Sequence, residues 1–353
     1  MKTKLISILS VIFILAGCSF STPAASDGPE DFTAVVWNIQ AFFDGHEDGH
    51  EYTEYKEGAG WTPEKYQARI LAVSQAVLKM EASREVPDLI GFVEVENQGV
   101  LDDLSRGVLS KYAYNWTAFA NLPGSSLGLG VLSRYPITSA VAHSITVEND
   151  TAPRPVLEVR VEPCGKPLVF FLCHWKSKLG NDTEELRRAS ARVVQRRLLE
   201  ITSTEEETPV IVMGDLNENH DEFYRFQALC ALLPDDRDAA KLVSSGRKDY
   251  LVLSGEKPPR NVFFAGETEP LYSPWMAELS DGSYYYKGEW ETIDHFLLSK
   301  ALFGSSPWRF SDCWVLNKEP FTTSKGIPNT YTPKSGNGLS DHLPLMLYLR
   351  YVE

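Results

Sequence analysis

The sequence predicts an α/β protein of the α+β kind, with mixed β-sheets covered by outer helices. Two observations carry that expectation. Short β-branched runs are separated by stretches whose apolar residues recur at helical spacing. One pair of alternating runs is joined across a Pro/Gly turn, which requires antiparallel pairing and excludes an all-parallel sheet. With 353 residues, 43% hydrophobic and 23% charged, the chain has the composition of an ordinary folded protein and can bury a large core.

Residues 1–18 stand outside this fold. Lys2 and Lys4 precede the apolar run Leu5 to Ala16, which suits the h-region of a signal peptide and is too short to span a bilayer. The run ends in Leu15-Ala16-Gly17-Cys18, which resembles the bacterial lipobox. That resemblance implies an exported lipoprotein, lipidated on Cys18 and anchored in the membrane of the cell envelope, at the outer membrane or on the periplasmic face. Residues 19–30, small, polar and Pro/Gly-containing, read as a flexible tether, and residues 31–353 as the domain. Cys164, Cys173, Cys230 and Cys313 allow several disulfide pairings, and their scattered spacing argues against a zinc site.

Within the domain, Thr33 to Trp37 reads as a buried strand with Asn38 at or just past its end. Thr62 is a good N-cap with Pro63 behind it, and Tyr66, Ile70, Val73, Val77 and Met80 form one apolar helical stripe. Asp88 to Val95 is a second buried strand delivering Glu94, and Leu129 to Leu132 a third. Leu157, Val159 and Val161 alternate with Glu158, Arg160 and Glu162 before a turn into Leu168 to Cys173, which makes the hairpin. A helix starts near Asp182 and runs through Ile201. The strand Pro209 to Met213 then ends at Gly214-Asp215-Leu216-Asn217, and Ile293 to Leu298 and Leu343 to Leu349 read as later strands.

The charge balance bounds the chemistry. With 34 Lys plus Arg against 48 Asp plus Glu, the net charge is −14, so sequence-independent binding of a polyanion through a basic surface is not the expected mode. Any phosphate chemistry needs a bound cation. Polar residues gather at six strand ends: Asn38, Glu94, His174, Asp215 with Asn217, Asp294 with His295, and Asp341 with His342. In α/β architectures, the crevice beside strand ends is where ligands bind.

The ordered series Trp37-Asn38-Ile39-Gln40, Val93-Glu94-Val95, His174-Trp175-Lys176-Ser177-Lys178, Gly214-Asp215-Leu216-Asn217, Ile293-Asp294-His295 and Ser340-Asp341-His342 resembles the endonuclease/exonuclease/phosphatase superfamily. The resemblance runs from about Phe32 to Tyr351. It implies a deoxyribonuclease-I-like, four-layer α/β/β/α sandwich with two mixed β-sheets and a divalent-metal phosphoesterase site at one end of the sheets. Hard carboxylate ligands suit Mg²⁺, with Mn²⁺ or Ca²⁺ as alternatives. Glu94 and Asp341 are the expected metal ligands, with Asn38 giving an amide oxygen to the ion or its water shell. The family's arrangement pairs His342 with Asp294, so that His342 activates the water or stabilises the phosphorane. Asp215 and Asn217 orient the water and the phosphate, and His174 donates to a phosphate oxygen or to the leaving group. Lys176, Lys178 and Arg134 are candidate rim cations.

The motif around Asp215 lacks the arginine of the inositol-phosphatase branch, and the export signal argues against intracellular repair enzymes. The expectation is therefore a monomeric, Mg²⁺-dependent, nuclease-like phosphodiesterase acting on nucleic acid, DNA or RNA. Two alternatives stand beside it, a sphingomyelinase-like phospholipase and a non-catalytic surface lipoprotein. The aromatic run Tyr284-Tyr285-Tyr286 reads either as a base-stacking surface or as a half-buried strand packed on the core. The Pro-bearing stretch Glu267 to Leu279 reads as a substrate rim, a membrane contact or packed cover.

Overall fold

Each of the main strands alternates its apolar side chains between two different cores, and that alternation sets the layers. In Phe32–Phe42, the residues Phe32, Ala34 and Val36 enter one core while Val35, Trp37 and Ile39 enter another. Leu168–His174 does the same, sending Phe170 and Leu172 into the core it shares with Phe32, and Val169 and Phe171 into a third. A strand buried on both faces needs a layer on each side, and a computed structural model supplies them. It describes residues 31–80, 86–147, 150–151, 154–180, 183–243, 246–264 and 268–353. The signal segment, Cys18, the tether, Asp182 and Glu267 lie outside the described residues.

Two mixed sheets pack face to face. The first has six strands in the order Trp308–Val315, Leu345–Tyr351, Phe32–Phe42, Leu89–Val95, Gly128–Ser133, Trp116–Ala120. The second has eight, in the order Leu232–Pro234, Leu251–Ser254, Leu271–Tyr272, Asp294–Leu298, Val210–Asp215, Leu168–His174, Val156–Val161, Ile137–His143. The helices Pro63–Val77 and Gln98–Arg106 cover the outer face of the first sheet, and Thr183–Thr204 that of the second. Thr62 caps Pro63–Val77 as expected, its hydroxyl accepting from the Lys65 amide. This is the four-layer sandwich the sequence implied.

At the heart of each sheet lies a parallel pair, Phe32–Phe42 beside Leu89–Val95 in the first and Leu168–His174 beside Val210–Asp215 in the second, where Leu232–Pro234, Leu251–Ser254 and Leu271–Tyr272 add two further parallel pairings at one edge. Leu345–Tyr351 and Asp294–Leu298 run antiparallel to these pairs, so they begin where the parallel strands end. Asn38, Glu94, His174, Asp215, Asp294 and the turn carrying Asp341 and His342 therefore lie at one end of the sandwich. The sheets approach closely at Gly91, where an added Cβ would stand 2.7 Å from Met213 Cε and 2.9 Å from Leu172 Cδ1 of the opposite sheet.

Cys164, Cys173, Cys230 and Cys313 are all free thiols, and Cys164 alone of these is exposed. Among the described residues, no helix is long and apolar enough to cross a membrane.

Candidate active site

The period-two rule of a strand explains why most of these side chains converge. Asn38 continues the inward series of Ala34 and Val36, His174 that of Phe170 and Leu172, Asp215 that of Ile211 and Met213, and Asp294 that of Phe296 and Leu298. All four point between the sheets. His295, one residue out of phase, points the other way and gives Nε2 to the Glu218 carbonyl at 2.8 Å, so it is a buried structural residue away from the site.

Glu94 breaks the rule. Strict alternation from Phe92 would send it to the helix side, but the register shifts between Val93 and Val95 and Glu94 adopts φ +70°. A bulge of this kind re-aims a side chain. A second irregularity faces it: Phe32–Phe42 does not end at Asn38 as the sequence suggested but continues through a register shift between Asn38 and Phe42, with Gln40 and Ala41 at φ +55° and +51°. Asn217, at φ +52°, completes a group of left-handed non-glycine residues at this end of the molecule. Such residues cost about 1–3 kcal/mol each and cluster where function needs them. At Gly214, φ is +141° and a Cβ would lie 1.9 Å from the Cys173 carbonyl oxygen, so only glycine fits beside Asp215.

Contacts then tie the two sheets together. Asn38 Nδ2 donates to Asp215 Oδ2 at 3.0 Å, and its Oδ1 accepts the Gln40 amide at 3.0 Å. Asp215 Oδ1 accepts the Asn217 amide at 3.0 Å, while Asn217 Nδ2 donates to the Trp175 carbonyl at 3.1 Å. His174 Nε2 stands 3.7 Å from Asp215 Oδ2 and 3.8 Å from Glu94 Oε1. Its Nδ1 is buried and has no hydrogen-bond partner among the described residues. On the far side, His342 Nδ1 meets Asp294 Oδ2 at 2.8 Å, and the Ser283 hydroxyl donates to the same oxygen at 2.6 Å. The Ser340 hydroxyl binds the Asn38 carbonyl at 2.6 Å and accepts the His342 amide at 3.1 Å.

Burial and charge divide these groups. Burial drives His174 well below the ordinary histidine range, aided by nearby Arg154 and His342, so it is neutral. Burial also disfavours charge on His342, but Asp294, Asp341 and Asp215 outweigh it and raise the imidazole to about 10. Asp215 is pushed up to about 7, first by burial and then by Asp294. Burial lifts Asp341 too, and Glu94 and Asp294 add to this against the pull of His342.

Metal-holding capacity is present at this end. Glu94 Oε2 accepts the Ala41 amide at 2.8 Å, while Oε1 faces the His174 ring at 3.8 Å. The Asp341 carboxylate takes its own backbone amide and feels Glu94 as a like charge. Two acids that repel each other at one end of the sandwich, with the Asn38 amide oxygen at that same end, form a hard oxygen set suited to a divalent ion. Ligand atoms of Asp215, Asp294 and His342 also lie within 4.8 Å of one another, as do those of Asp48, Glu51 and Glu96. In the former group His342 Nδ1 is taken by Asp294. In the latter, the carboxylates accept amides of their own loop, Gly49 on Glu51 at 2.9 Å and Asp44 on Glu96 at 2.6 Å.

The rim differs from expectation. Arg134 is not at the site: Gly128–Ser133 runs antiparallel to Leu89–Val95, so its end lies at the opposite edge, where Arg134 pairs with Asp88 at 2.9 Å. Lys178 is bound to Glu222 at 2.7 Å. Lys176 stays near His174, its ammonium reaching the Leu179 carbonyl at 3.3 Å. Arg154, absent from the sequence reading, is the cation whose charge acts on His174 and on the Tyr52 hydroxyl.

Tyr284, which the sequence offers as a base-stacking or a core-packed residue, instead touches the site. Tyr284–Tyr286 pairs with Glu289–Glu291 as a hairpin outside the main sheets, and the Tyr284 ring stacks on His342 at 4.4 Å with exposed Tyr286 stacked behind it at 5.9 Å. The alternation of three tyrosines gave no sign of this. The Pro-bearing stretch is packed cover, with Pro274 and Trp275 buried and the Trp275 indole donating to the Asp294 carbonyl at 2.8 Å.

Comparisons with known proteins give the family and the fold. Residues 33–245 match the model of an endonuclease/exonuclease/phosphatase family; the segment includes Asn38, Glu94, His174, Asp215 and Asn217, while Asp294, Asp341 and His342 lie beyond it. Among solved structures, TDP2 from Caenorhabditis elegans aligns over 91% of this chain and 74% of its own, at 13% identity and a TM-score of 0.54. An endonuclease/exonuclease/phosphatase from Beutenbergia cavernae covers 91% and 72%, at 16% identity and 0.51. TDP2 from D. rerio, complexed with a single-strand DNA product, covers 91% and 99%, at 12% and 0.51. No curated protein matches the sequence. By this match over more than half of its length, and in accord with its fold, the chain belongs to the endonuclease/exonuclease/phosphatase family, whose members are divalent-metal-dependent phosphoric ester hydrolases.

Proposed function

We propose that this protein is an exported, lipid-anchored, Mg²⁺-dependent nuclease that hydrolyses phosphodiesters of DNA or RNA outside the cytoplasm. The observation that carries the reading is the meeting of Glu94 from one sheet with His174 and Asp215 from the other, beside the Asp294–His342 pair. Glu94 and Asp341 would hold the ion, with Asn38 Oδ1 at its margin, and the ion when bound supplies charge neutralisation at the reacting phosphate. His342, fixed through Nδ1 by Asp294 and protonated at neutral pH, holds a proton on Nε2 for a non-bridging phosphate oxygen. Asp215, raised to about 7 and oriented by Asn38 and the Asn217 amide, takes the proton of the attacking water. His174, neutral, donates from Nε2 to a second phosphate oxygen, and Arg154 and Lys176 hold the flanking charge.

Nucleic acid as substrate draws support from the DNA product bound to the D. rerio relative. The export reading rests on Leu15-Ala16-Gly17-Cys18. The phospholipase alternative loses its structural motive, because the loop that suggested membrane contact is buried.

The test incubates the fragment from Ser19 onward with plasmid DNA, RNA and choline phospholipids, with Mg²⁺ and then with EDTA. Nicking of nucleic acid that EDTA abolishes, and that is lost in His342→Ala, is the expected result. Head-group release alone, or no hydrolysis of any substrate, overturns the reading. Labelling with radioactive palmitate that persists in Cys18→Ala overturns the anchor.

A further inference from the structure

Arg69 sits on the helix Pro63–Val77, outside the first sheet, with 1% of its surface exposed. Among the described residues its guanidinium meets no carboxylate. Instead Nη2 donates to the carbonyls of Ile39 and Gln40 at 2.7 and 2.6 Å, and Nη1 to that of Ala41 at 2.9 Å. The rings of Tyr331 and Phe42 flank it at 3.7 and 4.7 Å. Three consecutive carbonyls face one cation because Gln40 and Ala41 hold left-handed backbone angles.

The same peptide units face the site with their other ends. The unit joining Ile39 to Gln40 gives its oxygen to Arg69 and its amide to Asn38 Oδ1 at 3.0 Å. The unit joining Gln40 to Ala41 gives its oxygen to Arg69 and its amide to Glu94 Oε2 at 2.8 Å. A cation on the carbonyl polarises the amide and strengthens its bond to the carboxylate. The Gln40 side chain locks the bulge from a third direction, pairing with the Tyr331 backbone at 2.9 and 3.1 Å.

We propose that Arg69 is a positioning residue for the site, holding Glu94 and Asn38 in ligand geometry through the two peptide units of the bulge. This rests on the reading of Glu94 as a metal ligand. Partners that orient a ligand from behind typically change metal affinity 10–100-fold when removed, roughly the range expected here.

The test measures Mn²⁺ binding to the intact protein by electron paramagnetic resonance, alongside kcat and KM. Arg69→Lys keeps the charge but offers one ammonium in place of a fork, which cannot span three carbonyls. The expected result is Mn²⁺ affinity weaker by about 10-fold or more, with kcat lowered and KM for nucleic acid unchanged. Adding Ala41→Gly, which removes the penalty on the left-handed angle, should recover part of the affinity. That recovery is a readout that loss of packing alone would not give. The double variant also carries the test if Arg69→Lys by itself does not fold. Unaltered Mn²⁺ affinity in folded Arg69→Lys, or a double variant that binds Mn²⁺ no more tightly than that single variant, overturns the role of Arg69 and leaves the proposed activity standing; if Arg69→Lys does not fold, unaltered affinity in the double variant does so. No Mn²⁺ binding by the unaltered protein overturns both.

Discussion

Asn38 shows what a sequence can and cannot place. The motif around it identified the residue, and the apolar run before it gave the strand, but the sequence put it where the strand stops. The strand instead continues through two left-handed residues, and only a contact from another layer explains them. Arg69 carries that contact, and in sequence it is one more polar residue among helix formers. Arg134 failed for a topological reason, since a strand's direction decides which end of the sheet its last residue reaches. Arg154 follows no motif and is visible only through its neighbours, Tyr52 and His174. We predict that Arg154→Ala raises KM for nucleic acid roughly 5- to 70-fold with a smaller change in kcat, the loss expected for one charge-assisted phosphate contact of about 1–2.5 kcal/mol. Steady-state kinetics at two salt concentrations check this, and a weaker salt dependence in the variant should accompany the loss.

Among the elements, the strands at the centre of each sheet were legible because both faces are apolar. The edge strands were not. Trp308–Val315 carries Arg309, Ser311 and Asp312, and Leu232–Pro234 is three residues long, too short for a pattern. The loop from Asp44 to Glu51 also went unread. It wraps its amides around Glu51 and Glu96, and Glu96 is pushed up to about 8 by burial first and then by Asp44, Asp48 and Glu51. A carboxyl raised above its unfolded value of 4.5 stabilises the fold at low pH, and that contribution is lost as pH rises through about 8. Glu96→Gln keeps the acceptor for the Asp44 amide and removes the charge. Its melting temperature should match the parent at pH 5 and exceed it at pH 9 by about 1–3 °C, after allowance for solvent screening. A variant less stable than the parent at pH 9 would show that Glu96 is not strained by its neighbours.

At the scale of the molecule, the two sheets meet through a single apolar core, and Gly91 sets their separation. Gly91→Val places branched carbons against Met213 and Leu172, and overpacking of this kind costs about 1–3 kcal/mol. Hydrolysis should fall further than that stability loss accounts for, because the bond from Asn38 to Asp215 bridges the same gap. Denaturant melts paired with activity assays at one temperature separate the two effects. The first sheet is begun by residues 32–133 and completed by Trp308–Val315 and Leu345–Tyr351, after the whole second sheet has been made between them. Neither half owns a working centre, since Glu94 and Asn38 belong to one and His174 and Asp215 to the other. A chain still lacking its last strands is thus chemically harmless, and the appearance of hydrolysis is itself the signal that those strands have arrived.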